Sequence, residues 1–462
     1  MKIKEFLDSV CDEIRYKPIT ADISEELELH IEEGKQYYIE NGFSEIEAEE
    51  KAVSNMGNAE EIGKRLNKIH RPKLDWILLI LVSILVSFGI LMSYVTLKRT
   101  ENFGRFGKHI GVLIIGIIFG IFVYRLDYRK IKKYSLHIYI ATSIIIIFCR
   151  ILGYSINGVN LYIRGVDIPY FCLYMYLIAF AGFVSNLKID KIFNFEYKKI
   201  KVKINLDLLK IIVLSILSIF LINSVSGVPR TFLLIFTYFI ISFFSIAIMS
   251  KENLKKNLLK FVAFTLVLGI IFSMILIMLD TWIVFKVKSV LLDFFALIEN
   301  GRDFWNGYHG MKINNVLEEA NMFYGLDNMQ TYNGLFDGGT DCALISIIAY
   351  CGLLYSIIII ITEICLCVKL IMDCKYIKDN YGKMLLVALS TIMLLQTLIN
   401  ILMNFNLIPI FNVGLPFISY GNTGLLTNIF SIALILSIYR RKDILYKEKI
   451  ENKMLKIKLY FE

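Results

Sequence analysis

Long apolar runs, separated by short polar segments, make up most of the chain after its first 72 residues. A run of about 20 apolar residues is long enough to cross the hydrocarbon core of a bilayer as an α-helix. By this criterion the pattern predicts ten spans, at residues 76–97, 109–124, 134–152, 169–187, 207–223, 229–249, 257–279, 342–370, 383–405 and 423–439. We therefore predict an all-α fold: a polytopic membrane protein of about ten transmembrane helices within residues 73–443, preceded by a small soluble helical domain.

The first 72 residues instead contain short amphipathic segments with helix-capping signals. Ile23, Leu27 and Ile31 recur at the spacing of one helical face, which indicates a buried stripe. Ser44 and Glu47 have the spacing of a capping box at the start of a further helix. Four short helices are predicted. Because the first residues lack the apolar core of a signal peptide, this domain is predicted to be cytoplasmic and to serve docking or regulation.

Composition and charge agree with a membrane protein. Hydrophobic residues make up 56% of the chain and charged residues 20%, which is more apolar than a typical soluble domain. The loops at 125–133 and 188–203 are rich in Lys and Arg, which predicts that they face the cytoplasm. An even number of spans then makes both termini cytoplasmic, with 444–462 as a basic tail. The net charge of +9 is therefore interpreted as a signal for the orientation of the chain in the membrane, where lipids are its partners. No nucleic-acid partner is predicted.

The cysteines do not indicate a metal site. The chain has eight, and none shows a metal-ligand spacing with histidine. Five of them lie in or beside apolar runs, where small buried residues are usual: Cys149, Cys172, Cys351, Cys365 and Cys367. The sequence therefore predicts no metal site and leaves any cofactor unknown.

One connection, 281–340, is far longer than the usual link between helices, and loops of that length are usually functional or disordered. Its many aromatic residues favour a packed, functional loop. It also carries four cations that are candidates for binding phosphate oxygens, although interfacial anchoring is the commoner role of such residues: Lys286, Lys288, Arg302 and Lys312.

A specific motif lies near the end of the chain, in the segment QTLINILMNFNLIPIFNVGLPFISYGNTGLL at 396–426. It resembles the hallmark of the SEDS family, which includes FtsW, RodA and SpoVE. In that family a Gln and an Asn one helical turn apart precede a loop reading Leu-Pro-Phe-Ile-Ser-Tyr-Gly-Gly. The matching residues here are Gln396, Asn400, Pro409, Leu415, Pro416, Phe417, Ile418, Ser419, Tyr420 and Gly421. Asn422 replaces the second Gly of the motif.

The end of the long loop is similar to the same family, in which a Thr-Asp pair opens the next helix. The resemblance implies a peptidoglycan glycosyltransferase that polymerises lipid II, or another polyprenyl-pyrophosphate-linked sugar, at the outer face of the cytoplasmic membrane. It implies Asp341 as the catalytic residue and a class B penicillin-binding protein as partner. It also assigns substrate contacts to Tyr308, Thr340, Gln396, Asn400, Pro416, Ser419, Tyr420 and Gly421. The N-terminal segment resembles the "permease prefix" helical domain of bacterial membrane proteins.

Three departures from the family leave alternatives open. Polar family positions are apolar around 158–174, 223–231 and 349–350. Buried ionisable groups in membranes are usually functional, so their loss fits either a divergent enzyme or a non-catalytic scaffold or lipid-precursor sensor of cell-wall assembly, with a transporter as a less favoured alternative. From its position alone, Asp341 is better explained as an N-terminal helix cap, and only the family resemblance around it favours the catalytic role.

Overall fold

The computed structural model describes residues 3–70, 73–99, 103–156, 159–163, 166–186, 192–197, 200–249, 308–326, 341–408 and 413–442. Internal contacts divide the chain into two units. The smaller unit contains the residues before Asp75, together with Ile377–Asp379 and the residues from Tyr439 onward. The larger unit contains Asp75–Tyr376 and Asn380–Ile438.

The smaller unit contains the four predicted helices. They are α1 (Ile3–Asp12), α2 (Thr20–Glu40), α3 (Glu45–Met56) and α4 (Ala59–His70), with a 3₁₀ turn at Lys17–Ile19. Ser44 and Glu47 form the predicted capping box at the start of α3. The apolar face of α2 is buried as predicted, because Ile23 and Ile31 join a core with residues of α1 and α3.

The helices of the larger unit are mostly long and apolar. They are α5 (Trp76–Arg99), α6 (Phe103–Arg125), α7 (Tyr128–Lys133), α8 (Ser135–Leu152), α9 (Ile168–Ser185), α10 (Leu206–Ser226), α11 (Val228–Met249), α12 (Tyr308–Glu319), α13 (Ala343–Cys351), α14 (Leu353–Asp373), α15 (Asn380–Asn404) and α16 (Asn422–Arg440). Within the described ranges, nine helices are long and apolar enough to cross a membrane. They correspond to nine of the ten predicted spans; the remaining one, 257–279, lies outside the described residues. The multi-pass helical fold is confirmed.

The predicted span at 342–370 is wrong as a single helix. It is divided at Gly352 into α13 and α14, and the φ of Gly352 is +98°. The irregular segment after α12 fills this break: the Leu353 N–H donates to the Asn321 carbonyl at 2.9 Å, and the Leu326 N–H donates to the Ala349 carbonyl at 2.8 Å. The apolar run is continuous in sequence although the helix is broken. Hydrophobicity does not indicate where a neighbouring segment supplies backbone hydrogen-bond partners to a break.

Two small antiparallel sheets were not predicted. The first joins β1 (Tyr154–Ile156), β2 (Val159–Ile163) and β3 (Val166–Asp167) between α8 and α9. The second pairs β4 (Ile192–Tyr197) with β5 (Ile200–Asn205) in a basic connection. Both are short hairpin structures between helices, so the all-α class holds for the bundle.

The bundle is densest around α9 and α15. Both helices bury most of their residues inside the protein, and they pack against each other and against α11. Gln396 and Asn400 of α15 are both almost fully buried. The polar residues of the family motif therefore point into the bundle rather than toward lipid.

Candidate active site

Asp341 lies immediately before α13 and is anchored through its backbone. The side-chain amide of Asn400 donates to the Asp341 carbonyl at 3.0 Å, and so does the amide of Asn404, also at 3.0 Å. Asn400 and Asn404 are one turn apart on α15, so both face the same point. The main chain at Asp341 is thus held by two residues of the most buried helix.

The helix-cap role considered for Asp341 belongs to a different residue. The Oδ1 atom of Asn404 accepts the N–H of Ile345, in the first turn of α13, at 3.0 Å. The N-cap residue itself is Cys342, which makes no side-chain capping bond. Asn404 thus accepts an N–H group of the first turn in place of Asp341, whose carboxyl is available for another use.

The surroundings of Asp341 bring the pKa of its carboxyl closer to neutral pH. Burial raises the pKa of Asp341 to about 6, the nearby Arg230 lowers it and Asp167 raises it. A carboxyl that titrates near neutral pH can both accept and release a proton at working pH. This matches the requirement of a general base.

Arg230 and Asp167 form an ion pair whose two charges act on Asp341. Both terminal nitrogens of Arg230, at the start of α11, donate to the two carboxylate oxygens of Asp167, the Nη1 bond at 2.7 Å. Asp167 also accepts the N–H of Tyr170 at 3.2 Å, which caps the start of α9. The starts of two spans, α9 and α11, therefore hold the charged pair that acts on Asp341.

Gln396, one helical turn before Asn400, binds two tyrosines. Its Nε2 donates to the Tyr170 hydroxyl at 3.0 Å, and its Oε1 accepts from the Tyr174 hydroxyl at 3.1 Å. The Tyr174 hydroxyl also lies 3.4 Å from Oδ1 of Asn428. In this chain Gln396 thus joins α15 to α9 and acts on the site through Tyr170.

The motif after α15 forms a compact turn. The Asn400 amide donates to the Val413 carbonyl at 2.7 Å, so one side chain links this turn to Asp341. The hydroxyl of Ser419 accepts the Leu415 N–H at 2.7 Å, and Phe417 adopts a φ of +61°. The neighbouring Pro416 is buried in the same turn.

The end of the turn contacts α6. The ring of Tyr420 lies 5.2 Å from that of His109, and Nδ1 of His109 is 3.3 Å from Oδ1 of Asn422. Gly421 follows, and its carbonyl accepts the N–H of Leu425 at 2.9 Å, which begins α16. The departure at Asn422 therefore has a structural partner in His109. Residues 409–412, which include Pro409 of the motif, lie outside the described residues.

The loop residues of the predicted site are only partly placed. Tyr308 begins α12 and Lys312 lies on it, partly buried. Helix α12 packs through Ile313 and Val316 on α13, the helix that Asp341 precedes. Four predicted residues fall outside the described residues: Lys286, Lys288, Arg302 and Thr340.

Sequence reasoning missed Asp167 and Arg230. Both lie in the segments where the polar positions of the family are apolar in this chain. Neither occupies a position that is polar in the family motif, so a comparison with the motif does not single them out. The available signal was an acidic and a basic residue, each at the start of an apolar run and within two residues of a proline. Among the described residues, no group of three or more His, Cys, Asp or Glu side chains is arranged to hold a metal ion.

Comparison with known proteins gives a consistent family. The sequence profile of the FtsW/RodA/SpoVE cell cycle proteins matches residues 73–444. A probable peptidoglycan glycosyltransferase FtsW of Enterococcus hirae is 31% identical over 133 residues, which cover 29% of this chain and 34% of that protein. A protein of the same name from Geobacter metallireducens is 22% identical over 402 residues, covering 82% of this chain and 97% of that protein.

Two solved structures share the fold. A chain from a peptidoglycan synthase complex, described for its coordination of polymerization and crosslinking, superposes with a TM-score of 0.61 at 15% identity, covering 80% of this chain and 98% of that chain. A mutant of the rod shape determining protein RodA of Thermus thermophilus gives a TM-score of 0.53 at 13% identity, covering 79% and 97%.

Proposed function

Because this chain belongs to the FtsW/RodA/SpoVE family of cell cycle proteins, we propose that it is a divergent peptidoglycan glycosyltransferase that polymerises lipid II, with Asp341 as its catalytic base. The names of its curated relatives support this activity. The observation that carries the proposal is the position of Asp341: its backbone is anchored by Asn400, while its helix is capped by Asn404.

The reaction needs one base and one stabilised leaving group. A sugar hydroxyl attacks the anomeric carbon of a lipid-linked sugar, the new glycosidic C–O bond forms, and the bond to the polyprenyl pyrophosphate breaks. The hydroxyl proton passes to the Asp341 carboxylate, and the electron pair leaves with the pyrophosphate. A base whose pKa is near 6 is largely ionised at neutral pH and so can accept this proton.

The test is polymerisation of purified lipid II by the full-length protein, alone and with candidate transpeptidases. Asp341→Asn preserves the size of the side chain and removes the base, so we expect glycan formation to fall at least a hundredfold. Glu319→Gln is a matched control, because Glu319 is an exposed carboxylate on α12. It should leave the rate unchanged.

Two results would contradict the enzyme. Polymerisation by Asp341→Asn at the wild-type rate would show that Asp341 is not the catalytic base. No polymerisation by folded wild type with every partner present would favour the scaffold or precursor-sensor alternative, and substrate-dependent flux in vesicles would favour a transporter.

We further propose that lipid II reaches Asp341 from the outer face of the cytoplasmic membrane and that both termini are cytoplasmic. The basic connections at 125–133 and 188–203 support this orientation. Single cysteines at Glu319 and at Lys130, measured above the background of the native thiols, provide the test with a membrane-impermeant maleimide on intact cells. Labelling at Glu319 and protection at Lys130 are expected; the reverse pattern contradicts the proposal.

The partner proposed is a class B penicillin-binding protein, supported by the similarity to a chain of a peptidoglycan synthase complex. We also propose that residues 1–72 form a docking or regulatory domain and 444–462 a cytoplasmic tail. Deleting residues 1–72 should leave polymerisation by the purified protein intact. It should reduce the amount of partner protein that co-purifies with it from solubilised membranes. Loss of polymerisation on deletion would instead make the domain part of the enzyme.

A further inference from the structure

The ion pair between Arg230 and Asp167 takes no part in the proton transfer described above. Only 14% of the Arg230 side chain and 15% of the Asp167 side chain are exposed. Removing two charges from water is costly and is repaid only by very good geometry. Charged groups in or beside membrane spans usually serve function, so this pair calls for an explanation beyond stability.

The guanidinium of Arg230 is held in one orientation from several sides. Asp167 binds both of its terminal nitrogens, and Asp167 is itself fixed because its N–H donates to Oγ1 of Thr423 at 3.1 Å. The ring of Tyr170 lies 5.4 Å from the centre of the guanidinium. Tyr170 is in turn bound by Gln396. Residues of α9, α15 and α16 thus preorganise a cation at the start of α11.

This cation is connected to the proposed base through side chains of α15. Tyr170, whose ring faces the guanidinium, is bound by Gln396, and Asn400, one helical turn after Gln396, holds the Asp341 carbonyl. The charge of Arg230 is close enough to lower the pKa of Asp341, as that of Asp167 is close enough to raise it. A group leaving the anomeric carbon must depart within a few ångströms of the attacking hydroxyl, so a cation whose charge acts on the base is well placed for it. The planar guanidinium matches phosphate oxygens better than a lysine does, because it offers two parallel donors.

We propose that Arg230 binds the pyrophosphate of the lipid-linked donor, with Asp167 and Tyr170 as positioning residues for its guanidinium. The inference rests on the proposed function and deepens it. The incoming phosphate competes with the Asp167 carboxylate for the cation. Removing the Asp167 charge should therefore strengthen binding of the ligand, whereas removing the Arg230 charge should weaken it.

Binding to full-length protein in nanodiscs tests the idea without requiring turnover. The probes are a polyprenyl pyrophosphate and inorganic pyrophosphate, with Kd as the readout. Arg230→Gln should weaken binding of the polyprenyl pyrophosphate at least tenfold, in line with the loss of a charge-assisted hydrogen bond. Asp167→Asn should bind it as tightly as wild type or more tightly. Arg150→Gln is the control, because Arg150 is exposed and binds the carbonyl of Ser224 at 2.9 Å.

The two substitutions are expected to change Kd in opposite directions, which distinguishes a ligand site from a structural ion pair. Equal weakening by Arg230→Gln and Asp167→Asn, or unchanged binding in Arg230→Gln, overturns the proposal. If Arg230→Gln does not fold, Arg230→Lys replaces it and should weaken binding while keeping the charge. Binding of inorganic pyrophosphate as tight as that of the lipid overturns the lipid-linked assignment. Arg230-dependent binding in a protein that never polymerises lipid II would contradict the proposed function and leave this inference standing.

Discussion

The side-chain amide of Asn400 donates to the backbone carbonyl of Asp341 at 3.0 Å and to that of Val413 at 2.7 Å. One buried amide thus joins the proposed catalytic residue to the turn that carries the rest of the family motif. The two residues are 59 positions apart in sequence. Neither the motif nor the loop end alone indicates that they touch.

Replacing Asn400 should therefore disable the site by loosening it. Asn400→Ala leaves two buried carbonyls with one donor fewer each, a loss of about 1–3 kcal/mol in the free energy of unfolding. It should lower the kcat of polymerisation at least tenfold, because Asp341 and the turn at Val413 lose their shared anchor. Leu398→Ala on the same helix is the control, since 48% of the Leu398 side chain is exposed. An Asn400→Ala protein with wild-type kcat would contradict this coupling.

Polymerisation should depend on pH through Asp341. The base must be ionised, and burial raises its pKa from the usual value of an aspartate to about 6. Activity is therefore expected to be full above about pH 7 and to fall as the pH decreases through about 6. A kcat profile from pH 5 to 8 measures it, and a midpoint near 4 would contradict the buried state of Asp341.

Stability should respond to pH in the opposite sense at the same residue. A carboxyl whose folded pKa is raised stabilises the protein below its unfolded pKa and loses that contribution as the pH rises through the folded pKa. Asp341→Asn should consequently raise the thermal midpoint at pH 8 and have little effect at pH 4. A lower midpoint at pH 8 would indicate a structural role for the charge.

The break between α13 and α14 should not tolerate a side chain. Gly352 has a φ of +98°, and an added Cβ would lie 3.0 Å from the Met322 carbonyl oxygen and 3.1 Å from that of Asn321. Gly352→Ala is expected to cost about 2–3 kcal/mol, because both the backbone conformation and the neighbouring carbonyls oppose it. Thermal unfolding in detergent provides the measurement.

Gly111→Ala is the matched control for that substitution. Gly111 lies within α6, and an added Cβ there meets nothing within 4 Å. Alanine in a helix is preferred over glycine, so this variant should be as stable as wild type or slightly more so. Equal stability of the Gly352 and Gly111 variants would show that the break can be remodelled.

The stability of the protein should depend on Lys369, the cation of a buried group of three charged side chains. Lys369 on α14 donates to both Asp75 and Asp373, whose side chains are 3% and 2% exposed. Asp75 also accepts the Leu78 N–H at 3.1 Å and so caps α5. Lys369→Met leaves two buried carboxylates side by side and should cost about 3–5 kcal/mol.

The double variant Lys369→Met/Asp373→Asn provides the control for this group of charged side chains. It removes one of the two carboxylates and should recover part of the lost stability, because the remaining one no longer has a like charge next to it. Unfolding in bicelles measures all three proteins. A Lys369→Met protein as stable as wild type would mean that the carboxylates are reached by water.

The sequence by itself determined the class of the fold, nine spans within the described residues, the four N-terminal helices and the identity of Asp341, Gln396 and Asn400 as candidates. These follow from local information: a span is set by the length of an apolar run, a cap by two residues three apart, and a family motif by a short word. Each can be read without knowing which segments touch.

Only the tertiary structure decided where α13 ends, what caps it, and which charges act on Asp341. The break at Gly352 depends on backbone partners at 321 and 322, and the ion pair of Arg230 depends on an acid 63 positions away. The physical reason is that burial, hydrogen bonding and charge act through space. The order of residues along an apolar run does not specify which neighbours the folded bundle brings within their reach.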